Sequence, residues 1–412
     1  MPLYRAVAAR AERFLVVTSI AGLVVIAFAV APGVDLFRIA KESVMRLQAI
    51  VSAFLLVVAV AYGGSARLRE LLRDRAVVAV LAGIVIWTAI TTLTSGHRLL
   101  SVESLVTVVC SVILFVAIWY IAPQVPAAAL LALVPGVVVN TLLAALQEYQ
   151  IWNPFRFAYE GWDHLNTTGL IGNPNDIGGY LALCAVVLLM ASASLEGWLR
   201  WISVAAGVIA ILGVFVSQTR TAALALVAAA AYVALRRSWK LALAVAAAVL
   251  LSLLIATRVD LPVLTRIAQV PSYLARGEWN VVLSDRLPAF AAAVGMVADH
   301  PVVGVGPGAY KYFYLAYRIR ASEIYPSVIM SGAGVNFAET HNDHLQLLAE
   351  TGLPGYALFL AACVILVRRS RSALPLVITL AVLALAFFPL QIAVTRHLLI
   401  TISALLVGWS RT

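Results

Sequence analysis

Charge is what this 412-residue chain has least of: Asp, Glu, Lys and Arg together make up 12% of it, about half the share of an ordinary soluble domain. Hydrophobic residues fill 63%, so a water-soluble globule is excluded. Cysteine is scarce too. Cys110, Cys184 and Cys363 all stand inside apolar runs, where a free thiol behaves as a small hydrophobe. Neither a disulfide framework nor a metal-ligand spacing is visible. The chain also lacks a repeat of fixed period, a low-complexity tract and a soluble domain at either end. Last, essentially no Asp, Glu, Lys, Arg or His interrupts the apolar runs. Ion-coupled transporters place such groups within their spans because function repays the cost, so their absence argues against transport.

What is there is a succession of runs long enough, or nearly so, to cross a hydrocarbon core, about twelve in all. They lie near 14–31, 47–62, 76–93, 105–121, 127–145, 177–194, 201–216, 221–235, 241–256, 355–367, 374–389 and 398–407. In lipid each must be a helix, since the backbone has no water to bond. The expectation is an all-α polytopic membrane protein with about twelve transmembrane helices. The first run follows Arg5, Arg10 and Arg13 and ends in Ala-Val-Ala, like a signal peptide. It is long for one and is followed by Pro32, so it reads as a retained helix.

The net charge of +10, from 29 basic and 19 acidic residues, calls for no nucleic acid. The surplus sits in short clusters: Arg5/Arg10/Arg13, Arg67/Arg69/Arg73/Arg75, Arg236/Arg237/Lys240 and Arg368/Arg369/Arg371. Counting spans from a cytoplasmic N-terminus puts all four on the cytoplasmic side, as the positive-inside rule expects. Both termini are then cytoplasmic, and the chain divides into helices 1–9 (residues 1–257), one large outward loop (258–352) and helices 10–12 (353–412).

Most titratable groups of the outer face lie in that loop or the shorter outward ones, and four places stand out. Gly169-Leu170-Ile171-Gly172-Asn173-Pro174-Asn175-Asp176 precedes the sixth span. Asn173 and Asn175 read as a helix cap and turn, or as a polar helix start whose amides meet an anion or a sugar hydroxyl. Ser217-Gln218-Thr219-Arg220 opens the eighth span. An Arg in a first helical turn opposes the macrodipole unless an anion sits in front of both, where a helix N-terminus and a guanidinium form a phosphate site. A snorkelling interfacial Arg is the plain alternative. Ser284-Asp285-Arg286-Leu287-Pro288 starts a capped helix with the same awkward cation, which Asp285 would neutralise locally. It runs into Pro301…Gly304-Val305-Gly306-Pro307-Gly308, glycines that call for tight backbone packing and not a dinucleotide fingerprint. His300 reads as a helix C-terminal cation.

The fourth is Thr340-His341-Asn342-Asp343-His344, on a short helix capped by Thr340 or Asn342 and ended by Gly352 and Pro354. A histidine titrating near 6.5 can accept a proton at neutral pH. His341 and His344, three apart, share a helical face, yet no third ligand or zinc spacing accompanies them, so no metal and no cofactor is expected.

At these places the chain resembles the bacterial O-antigen ligase and polymerase superfamily, polytopic inner-membrane glycosyltransferases. The ligase pattern of His-Asn, nine residues, then Gly-x-x-Gly is matched by His341-Asn342 and Gly352-Leu353-Pro354-Gly355. Ser-Gln-Thr-Arg220, Asp-Arg286-Leu and the Pro301…Gly306 run also follow the family pattern; the first half of the chain adds only hydropathy. The resemblance implies a GT-C-like architecture with a periplasmic site. Its donor is a glycan on undecaprenyl pyrophosphate and its acceptor is lipid A–core, with membrane lipids around it. It implies a metal-independent inverting transfer, with His341 as base and Arg220 and Arg286 clamping the pyrophosphate. Substrate contacts are expected from Asn342, His344, Asn173, Asn175, Ser217 and Gln218. Arg266, Lys311, Arg318 and Arg320 either grip acceptor phosphates or are solvated loop charges. The complete spacing favours the ligase; a polymerase, a protein O-oligosaccharyltransferase and a lipid-linked glycan transporter are the alternatives.

Overall fold

A computed structural model describes residues 2–32, 35–155, 167–244, 246–247, 265, 267–324, 326 and 337–410. Arg266 and most of the ninth expected span lie outside the described residues. Elsewhere the apolar runs are helical, apart from the end of the eleventh: α1 (Pro2–Phe28), α2 (Arg38–Gly63), α4 (Arg75–Thr94) and α5 (Arg98–Ile121), with the short α3 (Ala66–Leu72) between α2 and α4. Then follow α6 (Leu133–Glu148), α7 (Pro174–Ser192), α8 (Gly197–Val216) and α9 (Arg220–Arg237). The polar region carries α10 (Val270–Ala275), α11 (Trp279–Val282), α12 (Leu287–Asp299) and α13 (Tyr310–Ile324). The chain closes with α14 (Asp343–Arg369), α15 (Leu374–Leu383) and α16 (Ala393–Trp409).

Among the described residues eight helical stretches are long and apolar enough to cross a membrane, and Leu287–Asp299, Arg371–Leu383 and Ala393–Trp409 are shorter apolar helices. Phe14, Ile50, Phe54, Val57, Leu93 and Trp201 are exposed on the long helices. Apolar side chains turned outward along whole helices are what a bilayer, and not water, accommodates. The protein is a polytopic α-helical membrane protein. Its helices outrun the apolar runs, so Lys41, Glu42, Arg46, Glu103, Arg396 and His397 stand in helical turns beyond the runs.

Helix α7 is the axis of the bundle, with nearly every residue from Asp176 to Leu188 buried. Gly178 and Gly179 let Thr219 and Phe387 close on it; a Cβ there would come within 2.5 Å and 2.4 Å of them. The eleventh span departs from its expected limits. Helix α15 stops at Leu383, and residues 384–392 form a link in which Phe387 and Phe388 are buried.

A second, small core sits at one end of the bundle. Ala289, Ala292, Ala293 and Met296 of α12 pack on Tyr310 and Tyr314 of α13 and on Ala349 of α14. The glycine run before α13 is tied to α14 by its backbone: Val305 N–H donates to the Ala349 carbonyl (2.9 Å), Gly306 N–H to Glu350 (3.0 Å), and Leu353 N–H returns to Pro301 (2.8 Å). Gly304 (φ +66°) and Gly352 (φ +67°) stand in this pairing, each against the backbone of the opposite segment. A Cβ on Gly352 would lie 1.9 Å from the Val302 oxygen, and one on Gly304 2.3 Å from the Glu350 carbonyl carbon. Only glycine tolerates both that φ and that approach. The short helix breaks at Gly352 as expected: its φ of +67° and ψ of −175° lie outside the helical region, and a second helical stretch follows directly, so α14 is two helices joined at a kink.

The basic clusters lie at the opposite end. There Arg369 of α14 pairs with Asp74 (2.6 Å) and Arg67 with Glu12 (4.0 Å).

Candidate active site

The link 384–392 organises the site, because the starts of two helices distant in sequence, α12 and α14, hydrogen-bond to its backbone. Asn342 Nδ2 donates to the Leu385 carbonyl (3.0 Å), Asp343 N–H to Ala384 (3.0 Å), and Arg286 Nη1 to Ala386 (2.6 Å). Asp343 Oδ2 in turn accepts from Leu390 N–H (2.7 Å). Asn342, not Thr340, caps α14, its Oδ1 accepting from Leu345 N–H at 3.0 Å. Both ends of the Asn342 amide are therefore engaged, and the residue preceding it is fixed in space.

That residue is His341. It adopts a left-handed backbone conformation (φ +55°), uncommon for a non-glycine residue and held here by the bonds on either side. Its ring stands edge-on between Phe337 (5.4 Å) and Phe388 (4.7 Å). Its Nδ1 is buried and has no hydrogen-bond partner among the described residues. Burial first, then the charges of Arg286 and Arg38, lower its pKa to about 3. The imidazole is neutral at physiological pH, with a buried nitrogen free to accept.

Arg286 lies just ahead of α12, and Asp285 does not neutralise it. Asp285 Oδ1 accepts from Asn280 Nδ2 (2.6 Å), while Arg286 turns to the link. Burial, then the positive charge of Arg220, lower the Arg286 pKa to about 10. Among the described residues no carboxylate pairs with Arg286. Arg220 opens α9 and donates to Ser284 Oγ and to the Val282 carbonyl (3.5 Å). A buried guanidinium whose pKa a second one lowers, beside a neutral imidazole, makes a site that an anion would stabilise.

The other expected contacts fall in several places. Asn173 caps α7, its Oδ1 accepting from the Asn175 and Asp176 amides (2.9 and 3.0 Å); Asn175 follows in the first turn. Ser217 is buried and donates to the Val214 carbonyl (2.8 Å). Gln218 donates to Glu148. Thr219 does not cap α9 with its side chain but donates to the Pro174 carbonyl (2.9 Å), joining the starts of α7 and α9. His344 has both ring nitrogens engaged, with Nε2 3.2 Å from the Ala381 carbonyl and Nδ1 3.1 Å from the Tyr356 hydroxyl. His341 and His344 thus face different partners. Lys311 is exposed on α13 over the Tyr312 ring. Arg318 is buried against Tyr314, and Arg320 pairs with Asp299 (2.5 Å).

Sequence reasoning passed over Arg38, Glu339 and Phe388. Arg38 Nη1 donates to Glu339 Oε1 (2.5 Å), and its guanidinium lies 5.6 Å from the centre of the Phe388 ring. Its place in a polar outward loop was a signal; Phe388, inside an apolar run, carried none. Residues 205–360 match the family described as O-antigen ligase. All of Arg220, Arg286, His341 and Gly352 fall within the match, while Arg38 and the 384–392 link lie outside it.

Proposed function

With residues 205–360 carrying a domain of the O-antigen ligase/polymerase superfamily, we propose that the protein is an O-antigen ligase. It moves a glycan from undecaprenyl pyrophosphate to lipid A–core at the periplasmic face of the bacterial inner membrane. The observation that carries the proposal is the unbonded, buried Nδ1 of a neutral His341 beside Arg286 and Arg220.

The chemistry is a single displacement. The acceptor hydroxyl gives its proton to His341 Nδ1 as its oxygen forms the bond to the anomeric carbon. The bond from that carbon to the phosphate oxygen breaks, and its electron pair leaves with the undecaprenyl pyrophosphate. The carbon inverts, and no carboxylate nucleophile is needed, unlike in retaining hydrolases. Arg286 and Arg220 bind the charge that develops on the leaving group. Cations preorganised in a partly desolvated site act most strongly on such charge, and a guanidinium offers phosphate two parallel donors. His341 is neutral and able to accept, and a pyrophosphate bound at Arg286 offsets one of the charges that lower its pKa, moving it toward the range where a base is effective. Both termini and the basic clusters lie in the cytoplasm in this reading.

A second reading, a polymerase of the same superfamily, uses the same base and clamp. The test is the lipopolysaccharide and carrier-linked glycan of a deletion strain, complemented by wild type or His341→Ala. A ligase predicts lipid A–core with no O-antigen and long polymer accumulating on the carrier. A core bearing a single repeat unit would make it a polymerase, and unchanged lipopolysaccharide would overturn both.

A further inference from the structure

Beside the site, on the far side of Arg38, the helices part around a cavity of about 720 Å³. Its walls come from α2, α4, α5, α14 and α16, and none of His341, Arg286 or Arg220 lines it. Its upper part is dense in charge but balanced. Among its described lining residues five are cationic and five are carboxylates, and three ion pairs join them: Arg38–Glu339, Arg46–Glu103 and Arg396–Glu42. Such a wall has no net attraction for a phosphate, whereas Arg286, on the other side of His341, pairs with no carboxylate among the described residues.

The balanced wall still has bonding capacity. Glu42 Oε2, Arg46 Nε and Arg396 Nε are buried and have no partner among the described residues. Buried polar atoms are normally satisfied, and this set combines an acceptor with two donors. A sugar hydroxyl donates and accepts at once and matches it. Below, the lining turns apolar, with Val108, Val112, Leu358 and Ile400. A second cavity of about 190 Å³ shares Phe359, Ala362, Leu390 and Ile400 and continues to Leu366 and Val407 between α4, α14, α15 and α16. Sugar-bonding groups above hydrocarbon describe one amphiphile. Glu339 connects the cavity to the catalytic centre, since its partner Arg38 covers the Phe388 ring against which His341 stands.

We propose that this cavity is the acceptor site: it takes a glycolipid whose uncharged sugar lies against the three ion pairs and whose hydrocarbon lies between α4, α5, α14 and α16. The accepting hydroxyl then reaches His341 past the Arg38–Glu339 pair. In-line displacement then places the acceptor hydroxyl, with His341, on the face of the anomeric carbon opposite the pyrophosphate that Arg286 holds. The inference rests on the glycosyl-transfer reading above.

The test uses the full chain in lipid nanodiscs, with an undecaprenyl-pyrophosphate-linked glycan as donor and lipid A–core lacking O-antigen as acceptor. Val108→Trp on α5 and Ala362→Trp on α14 fill the cavity from facing walls; Val108→Phe fills it less. The acceptor KM is expected to rise about tenfold or more in the two Trp variants and less with Phe, while the donor KM and slow donor hydrolysis stay within about twofold. An acceptor KM that stays put in all three, or a donor KM that rises in its place, overturns the proposal. Dephosphorylated lipid A–core is expected to be used with a KM within about threefold, and a loss beyond tenfold would show that phosphate and not sugar is recognised there, which also overturns it. His341→Ala reports separately: full transfer activity in that variant sinks the glycosyl-transfer reading whatever the KM values show.

Discussion

Two groups of arginines flank His341, and they differ in what neutralises them. On the cavity side Arg38, Arg46 and Arg396 each hold a carboxylate. On the other side Arg286 has backbone carbonyl and Arg220 for company, and its pKa is lowered to about 10 by burial and by that second cation. A half-buried cation without a carboxylate is costly until an anion arrives; paired arginines have already met theirs. Charge density alone would have marked both sides as phosphate sites. Charge balance separates an anion-binding side from one suited to hydroxyl groups.

The comparison can be broken at its centre. Replacing His341 by Ala removes the base that both sides serve and is expected to lower transfer about a thousandfold, measured as the initial rate with both substrates saturating. A loss under tenfold would mean that His341 only packs between Phe337 and Phe388.

On the unbalanced side, Arg286→Lys retains charge but loses the planar fork. The expected fall in kcat is about a hundredfold. Should Lys support near wild-type kcat, the site needs only a point charge and the bidentate argument fails. Arg38→Lys, read in parallel, is expected to change kcat far less, because Glu339 already compensates it.

The pH profile sharpens the same contrast. With its pKa lowered to about 3, His341 is neutral throughout the physiological range, so kcat/KM is expected to stay flat from pH 8 down to about 5, with no acid limb near 6.5. The sign for stability follows. Its pKa is lower folded than unfolded, so the unfolded chain takes up the proton first. The contribution is fully present above about 6.5 and is lost as pH falls toward 3. Thermal melting in nanodiscs across that window checks it; a midpoint that rises on acidification would contradict the buried, neutral imidazole.

The smallest effect belongs to the balanced side. Glu103→Gln leaves Arg46 uncompensated in a partly exposed pair (3.3 Å) and is expected to raise the acceptor KM about threefold, with the exchange Arg46→Glu/Glu103→Arg restoring most of it. An exchange as poor as the single change would mean that position, and not balance, matters there.

Much of this was legible in the chain. The apolar runs became helices because hydrocarbon leaves no alternative for the backbone, and Asn173 and Asn342 cap helices as their residue type and position indicate. The glycines of the 304–308 run and Gly352 announced close backbone approach, although not that they approach one another. Local charge was read less well. Asp285 is adjacent to Arg286 in sequence, yet it bonds Asn280, because the turn at Ser284 and Asp285 (φ +52° and +60°) carries the two side chains apart. His344 matched His341 by helical spacing, but Tyr356 and the Ala381 carbonyl occupy its ring.

The sequence by itself determined what does not depend on distant contacts. Composition and run length set the membrane-embedded helical class, the spacing of His341, Asn342, Gly352 and Gly355 pointed to the superfamily, and the basic clusters marked one end of the bundle. Only the tertiary structure decided which cations remain uncompensated. The partner of Arg38 is 301 residues away and that of Arg396 is 354 residues away. Arg286 reaches a carbonyl 100 residues on, in an apolar stretch that had read as the end of a span. Pairing at such separations is set by helix packing, and helix packing is not written in any window of the chain.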